Sequence, residues 1–87
     1  MNIVVHTRDG CPWCDMAKDW LAENNFEFKV VEHNDVTERQ AFYESCGKGV
    51  RTVPQIFVDD KRIGGYSELM ECKDELLISK NGFDAEF

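Results

Sequence analysis

The stretch Ile3-Val4-Val5-His6-Thr7-Arg8-Asp9-Gly10-Cys11-Pro12-Trp13-Cys14 decides the architecture. Ile3-Val4-Val5 is a short β-branched run, consistent with a strand buried on both faces. Thr7 to Gly10 supplies turn residues, and Pro12 then takes the first position of a helix, where its missing N–H costs nothing. Trp13, Ala17, Trp20 and Leu21 recur at helical spacing, and Glu23-Asn24-Asn25 closes the segment. Both cysteines therefore fall at a strand-to-helix junction, with Cys11 in the capping position.

Further along, Phe26 to Val31 alternates and then runs apolar, which predicts a second strand. Asp35-Val36-Thr37-Glu38 carries a helix-start signature, a side-chain acceptor followed three residues later by Glu. Ala41, Phe42 and Cys46 supply that helix with an inner face, and Gly47-Lys48-Gly49 ends it. Val53-Pro54 precedes a strand at Gln55-Ile56-Phe57-Val58, a tight turn at Asp59-Asp60 and a returning strand at Lys61-Arg62-Ile63-Gly64. Gly64-Gly65 breaks the chain before a last helix, with Ser67 as its N-cap and Leu69, Leu76 and Leu77 among its apolar residues. The order β-α-β-α-β-β-α implies an α/β fold. Crossover helices give parallel pairing, the short turn gives an antiparallel hairpin, and a central four-stranded mixed sheet is flanked by three helices.

With 87 residues there is room for a single domain, residues 1–87, and one hydrophobic core. The net charge of −7 and ten scattered basic residues argue against nucleic acid or an anionic membrane as partner. The start lacks a basic region before its short apolar run, and no stretch approaches the ~18 apolar residues of a membrane span. The expected compartment is cytoplasmic, where stable structural disulfides are rare. Four cysteines there favour redox or metal chemistry over a stapled scaffold. Zinc requires a second ligand pair, but Cys46 and Cys72 are far apart, neither has a Cys or His three or four residues away, and His6 and His33 are isolated. No metal is expected.

A cysteine reacts as its thiolate. At a helix N-terminus, free backbone N–H groups and the positive end of the dipole favour an anion, and Arg8 adds a cation at the same mouth. The sequence thus predicts an acidified Cys11 as nucleophile. Cys14, one turn on, lies deeper as the resolving thiol. Pro12 stiffens the loop, and Trp13 offers an apolar wall beside the sulfur.

Three separated features, Cys11-Pro12-Trp13-Cys14, Thr52-Val53-Pro54 and Gly64-Gly65, together resemble the glutaredoxin family over nearly the whole chain. The resemblance implies the thioredoxin fold and glutathione-dependent reduction of protein disulfides and of protein–glutathione mixed disulfides. Glutathione is then the co-substrate, no cofactor is tightly bound, and ribonucleotide reductase is a candidate partner of a monomeric enzyme. It implies a cis Val53-Pro54 bond that presents the Val53 backbone to the cysteinyl part of glutathione. Gly65, Tyr66, Ser67 and Glu68 match the segment holding the γ-glutamyl end, and Arg8 matches the basic residue meeting the glycine carboxylate. Thr52, Pro12 and Trp13 complete the groove, and Arg51 and Gln40 are additional candidate carboxylate contacts. Trp13 stands where the family more often has Tyr.

Two rivals remain open at the level of sequence. One is a thioredoxin-like donor reduced by a flavoprotein. The other is a [2Fe–2S] cluster carried between subunits by Cys11 and glutathione, which Pro12 disfavours by stiffening the loop. Cys46 and Cys72 are expected to be buried structural residues, and Asn81 to Phe87 a frayed terminus.

Overall fold

The computed structural model describes residues 1–80. Its elements run β1 (Ile3–Thr7), α1 (Pro12–Glu23), β2 (Lys29–Glu32), α2 (Val36–Cys46), β3 (Gln55–Val58), β4 (Lys61–Gly64), α3 (Tyr66–Glu71) and α4 (Lys73–Lys80). The sheet has the order β2-β1-β3-β4. β1 pairs parallel with β2 and antiparallel with β3, and β3 pairs antiparallel with β4. The mixed four-stranded sheet is the one expected from the element order. Among the described residues, no helix is long and apolar enough to cross a membrane.

The hairpin follows from local chemistry. Asp59 and Asp60 both take positive φ, 50° and 69°, as a two-residue turn between twisted strands requires. Asp59 is also tied to the chain start: its Oδ1 accepts from the Asn2 N–H and its own N–H donates to the Asn2 carbonyl, both at 2.7 Å.

The two faces of the sheet are not equivalent. Ile3, Val5, Ile56 and Val58 point to one side and pack with Ala17 and Leu21 of α1, Leu69 of α3 and Leu76 of α4, all at most 2% exposed. Fully burying one such aliphatic side chain contributes about 1.5–3 kcal/mol, so this side carries the stability. The opposite side presents Val4, His6 and Phe57 to α2 and is only half-buried. β1 is therefore not buried on both faces, because α2 supplies one buried residue, Tyr43, where the facing layer supplies many.

Other expectations require correction. The second strand begins at Lys29 and is an exposed sheet edge, while Phe26 turns into the core ahead of it. On α2, Tyr43 is the buried residue and Ala41 is exposed. Trp13 follows the helical spacing but stands 57% exposed at the start of α1, clear of the core. The last helical segment is two helices, interrupted at Cys72 with φ −107° and ψ 12°. Its first N-cap is Gly65, whose N–H donates to Glu68 Oε1 at 2.8 Å, so Ser67 does not cap it. Cys46 and Cys72 are half-buried. The tail Asn81 to Phe87 lies outside the described residues.

Candidate active site

The loop between β1 and α1 sets two sulfurs side by side. Gly10 takes φ +72°, which permits the sharp entry into the helix. Cys11 is the N-cap and Pro12 the first helical residue, as the sequence predicts. Cys11 and Cys14 are joined as a disulfide with Cα atoms 5.2 Å apart. The Cys14 backbone N–H donates to Cys11 Sγ at 3.2 Å, so a donor that α1 would otherwise leave free is aimed at that sulfur. Cys11 retains 8% exposure and Cys14 has none, which makes Cys11 the sulfur an incoming thiolate can reach.

The Val53-Pro54 peptide is cis. It brings the Val53 carbonyl oxygen to 3.5 Å from Cys11 Sγ, across the mouth of the site. Pro54 is buried beneath this turn. Gln55 Nε2 donates to the Thr52 carbonyl at 2.9 Å, and its Oε1 accepts from Arg62 Nη1 at 3.0 Å, so the segment entering β3 is tied down at both ends of one amide.

Two clefts meet at this mouth. The first, about 320 Å³, is lined by Arg8, Gly10, Cys11, Pro12, Trp13, Arg39, Gln40, Tyr43, Arg51, Thr52 and Val53. Three of the chain's four arginines line it and no carboxylate does, in a protein of net charge −7. Among the described residues, none of these arginines forms an ion pair. The second cleft, about 280 Å³, is lined by Trp13, Thr52, Val53, Pro54, Gly65, Tyr66, Ser67 and Glu68. Trp13, Thr52 and Val53 belong to both.

Every residue singled out in the sequence lies at this junction: Arg8, Pro12, Trp13, Thr52 and Val53 with Cys11 in the first cleft, Pro54 and Gly65 to Glu68 in the second, Cys14 beneath. Arg51 and Gln40 join the first cleft too. Arg39 and Tyr43 were missed. The available signal was their spacing, since Arg39, Gln40 and Tyr43 fall within one turn or so of α2 and face one side.

A sequence profile of the glutaredoxin family matches residues 3–63. Glutaredoxin 1 of Escherichia coli strain K12 is 40% identical over 75 residues, covering 78% of this chain and 87% of the relative. The crystal structure of glutaredoxin 1 from Francisella tularensis, complexed with cacodylate, superposes with a TM-score of 0.82 at 39% identity, covering 87% of this chain and 95% of that one. A buckwheat glutaredoxin–glutathione complex shares the fold with a TM-score of 0.73 at 23% identity, covering 95% and 81%.

Proposed function

The chain belongs to the glutaredoxin family of thiol–disulfide oxidoreductases, and on that premise we propose that glutathione is its reductant and that it reduces protein disulfides and glutathione mixed disulfides. The lining of the clefts beside Cys11 carries this reading. Glutathione is a short extended chain with its thiol in the middle and a carboxylate at either end. The arginine-lined cleft suits the glycine carboxylate, with Arg8 and Arg51 as contacts and Arg39 and Gln40 beside them. The segment Gly65-Tyr66-Ser67-Glu68 suits the γ-glutamyl end, and the Val53 backbone sits where the cysteinyl part would lie between them. The buckwheat relative, described as a glutathione complex, is consistent with this assignment.

The chemistry follows from the order of the sulfurs. In the oxidised protein, a glutathione thiolate attacks Cys11 Sγ, the reachable sulfur, and Cys14 leaves as thiolate. A second glutathione thiolate attacks the sulfur of the first, releasing glutathione disulfide and Cys11 as thiolate. The Cys14 N–H then stabilises that Cys11 anion by a charge-assisted hydrogen bond. On a mixed disulfide, Cys11 thiolate attacks the glutathione sulfur and expels the target thiol. On a protein disulfide, Cys11 attacks first and Cys14 displaces it, restoring the internal bridge. The reading includes a monomer acting in the cytoplasm, with ribonucleotide reductase a candidate target.

A coupled assay decides it. With glutathione, glutathione reductase and a small mixed disulfide, wild type and Cys14→Ser turn over and Cys11→Ser does not. Turnover that requires a flavoprotein thioredoxin reductase, with none on glutathione, overturns the proposal.

A further inference from the structure

The half-buried side of the sheet holds a hydrogen-bonded chain that the thiol chemistry does not use. His6 Nδ1 on β1 lies 2.7 Å from His33 Nε2, and His33 Nδ1 lies 2.6 Å from Glu38 Oε1. Phe42 of α2 roofs both imidazoles, with centroids 4.3 Å from His6 and 4.2 Å from His33 and interplanar angles of 22° and 18°. The His33 backbone is fixed from both sides: its N–H donates to the Thr7 carbonyl at 2.8 Å and its carbonyl accepts from Arg39 Nη1 at 3.0 Å. Arg39 is one of the arginines of the cleft beside Cys11.

The acceptor at one end fixes the protons along the chain. Ionised Glu38 only accepts, so His33 Nδ1 carries a hydrogen; neutral His33 then accepts at Nε2, and His6 Nδ1 donates to it. One added proton fits, on His6 Nε2, because His6 Nδ1 continues to donate and Glu38 supplies the opposite charge nearby. A second does not. It would have to occupy His33 Nε2, setting two N–H groups and two cations against each other at 2.7 Å.

We infer that Glu38, His33 and His6 form a proton-sensitive mount that pins α2 to β1, positions Arg39 in the cleft beside Cys11, and releases that wall when both imidazoles are charged. α2 has little else to hold it, since Tyr43 is its one buried residue. The charged and titratable groups facing His6 are His33 and Glu38; β3 presents the uncharged Phe57 and Gln55, and Arg62 of β4 reaches the same side through Gln55. Burial, with His33 beside it, pushes His6 below the usual histidine range, and Glu38 opposes this. The consequence for substrate rests on the glutathione reading; the mount itself does not.

The first test is an NMR titration of the reduced wild-type protein. The amides of Arg39, Gln40 and Tyr43 stay in place while the first imidazole charges and move together when the second does. In Glu38→Gln, which keeps the acceptor but removes the charge, His6 titrates at lower pH and the α2 transition follows it downward. The second test compares stopped-flow rate constants for glutathione disulfide and neutral 2-hydroxyethyl disulfide, a ratio in which the ionisation of Cys11 cancels. That ratio falls about five-fold over the second step, the scale of one partly exposed ion pair, and loses its pH dependence in His6→Phe. Amides of α2 that follow the first proton, a transition abolished in Glu38→Gln, or an unaltered profile in His6→Phe overturns the mount. If glutathione disulfide holds no advantage at any pH, the glutathione reading fails instead, and the NMR titration still decides the mount.

Discussion

The indole of Trp13 and the phenol ring of Tyr66 approach to 5.6 Å between centroids, tilted by 39°, and so join the start of α1 to the start of α3 above the disulfide. Trp13 is 57% exposed and lines both clefts. Its truncation therefore removes a contact surface without opening the core. Trp13→Ala is expected to shift the stability by no more than about 0.5 kcal/mol, the range of surface changes. Reduction of a protein disulfide should nevertheless slow several-fold, because exposed aromatics at the centre of a contact carry much of its energy. Urea denaturation and an insulin-type turbidity assay read the two effects separately.

The arginine cleft gives an ionic-strength signature. Arg8→Gln and Arg51→Gln are each expected to raise KM for glutathione about three- to five-fold with kcat held, as for loss of one exposed ion pair. In both variants, steady-state kinetics at low and high salt should show a smaller salt effect than in wild type.

Gly64 is a steric test of the cap that replaces Ser67. Its φ is +114°, and an added Cβ would stand 2.6 Å from Glu68 Oε1. Gly64→Ala should destabilise the fold by about 1–3 kcal/mol through backbone strain and displacement of the Glu68 carboxylate from Gly65. Adding Glu68→Ala to it relieves the clash but not the strain, so the double variant recovers part of the loss in urea titrations.

Stability should fall on mild acidification. The fold holds His6 below its ordinary value of 6.5, so between 6.5 and that depressed value the unfolded chain binds more protons than the folded one. The His6 contribution to stability therefore declines as pH drops through this window and is fully lost beneath it. Urea midpoints from pH 7.5 to 5 should show the decline, and His6→Phe should lessen it.

The two remaining cysteines should be slow to alkylate. Burial pushes the Cys46 thiol up, against Arg62, and burial together with Glu75 and Glu71 pushes Cys72 up. In the reduced protein at pH 7, mass spectrometry after a short iodoacetamide pulse should find Cys11 labelled well ahead of both.

The legible parts of this molecule are those whose cause is local. A proline one residue past a cysteine placed α1 to the residue, and Asp59-Asp60 between Gln55-Ile56-Phe57-Val58 and Lys61-Arg62-Ile63-Gly64 placed the hairpin. The parts that were not legible depend on partners distant in the chain or on a choice between neighbouring side chains. Ser67 has the better capping propensity, yet the Glu68 side chain folds back over Gly64 and takes the Gly65 N–H itself. Helical spacing put Ala41 inward, but α2 leaves Ala41 exposed and buries Tyr43, which lines the cleft beside Cys11. His6 and His33 are 27 positions apart and looked unrelated; only the parallel pairing of β1 with β2 sets them in contact. The break at Cys72 carries no proline or glycine to announce it.

The sheet order has a bearing on biosynthesis. β1 leaves the ribosome ahead of the other three strands, yet it ends in the interior, between β2 and a β3 that begins only at Gln55. Through much of translation one margin of β1 consequently stands unpaired, with Ile3 and Val5 awaiting Ile56 and Val58. A nascent chain that stalls before Gln55 exposes a sticky apolar border, so premature termination yields an aggregation-prone fragment rather than a smaller working enzyme.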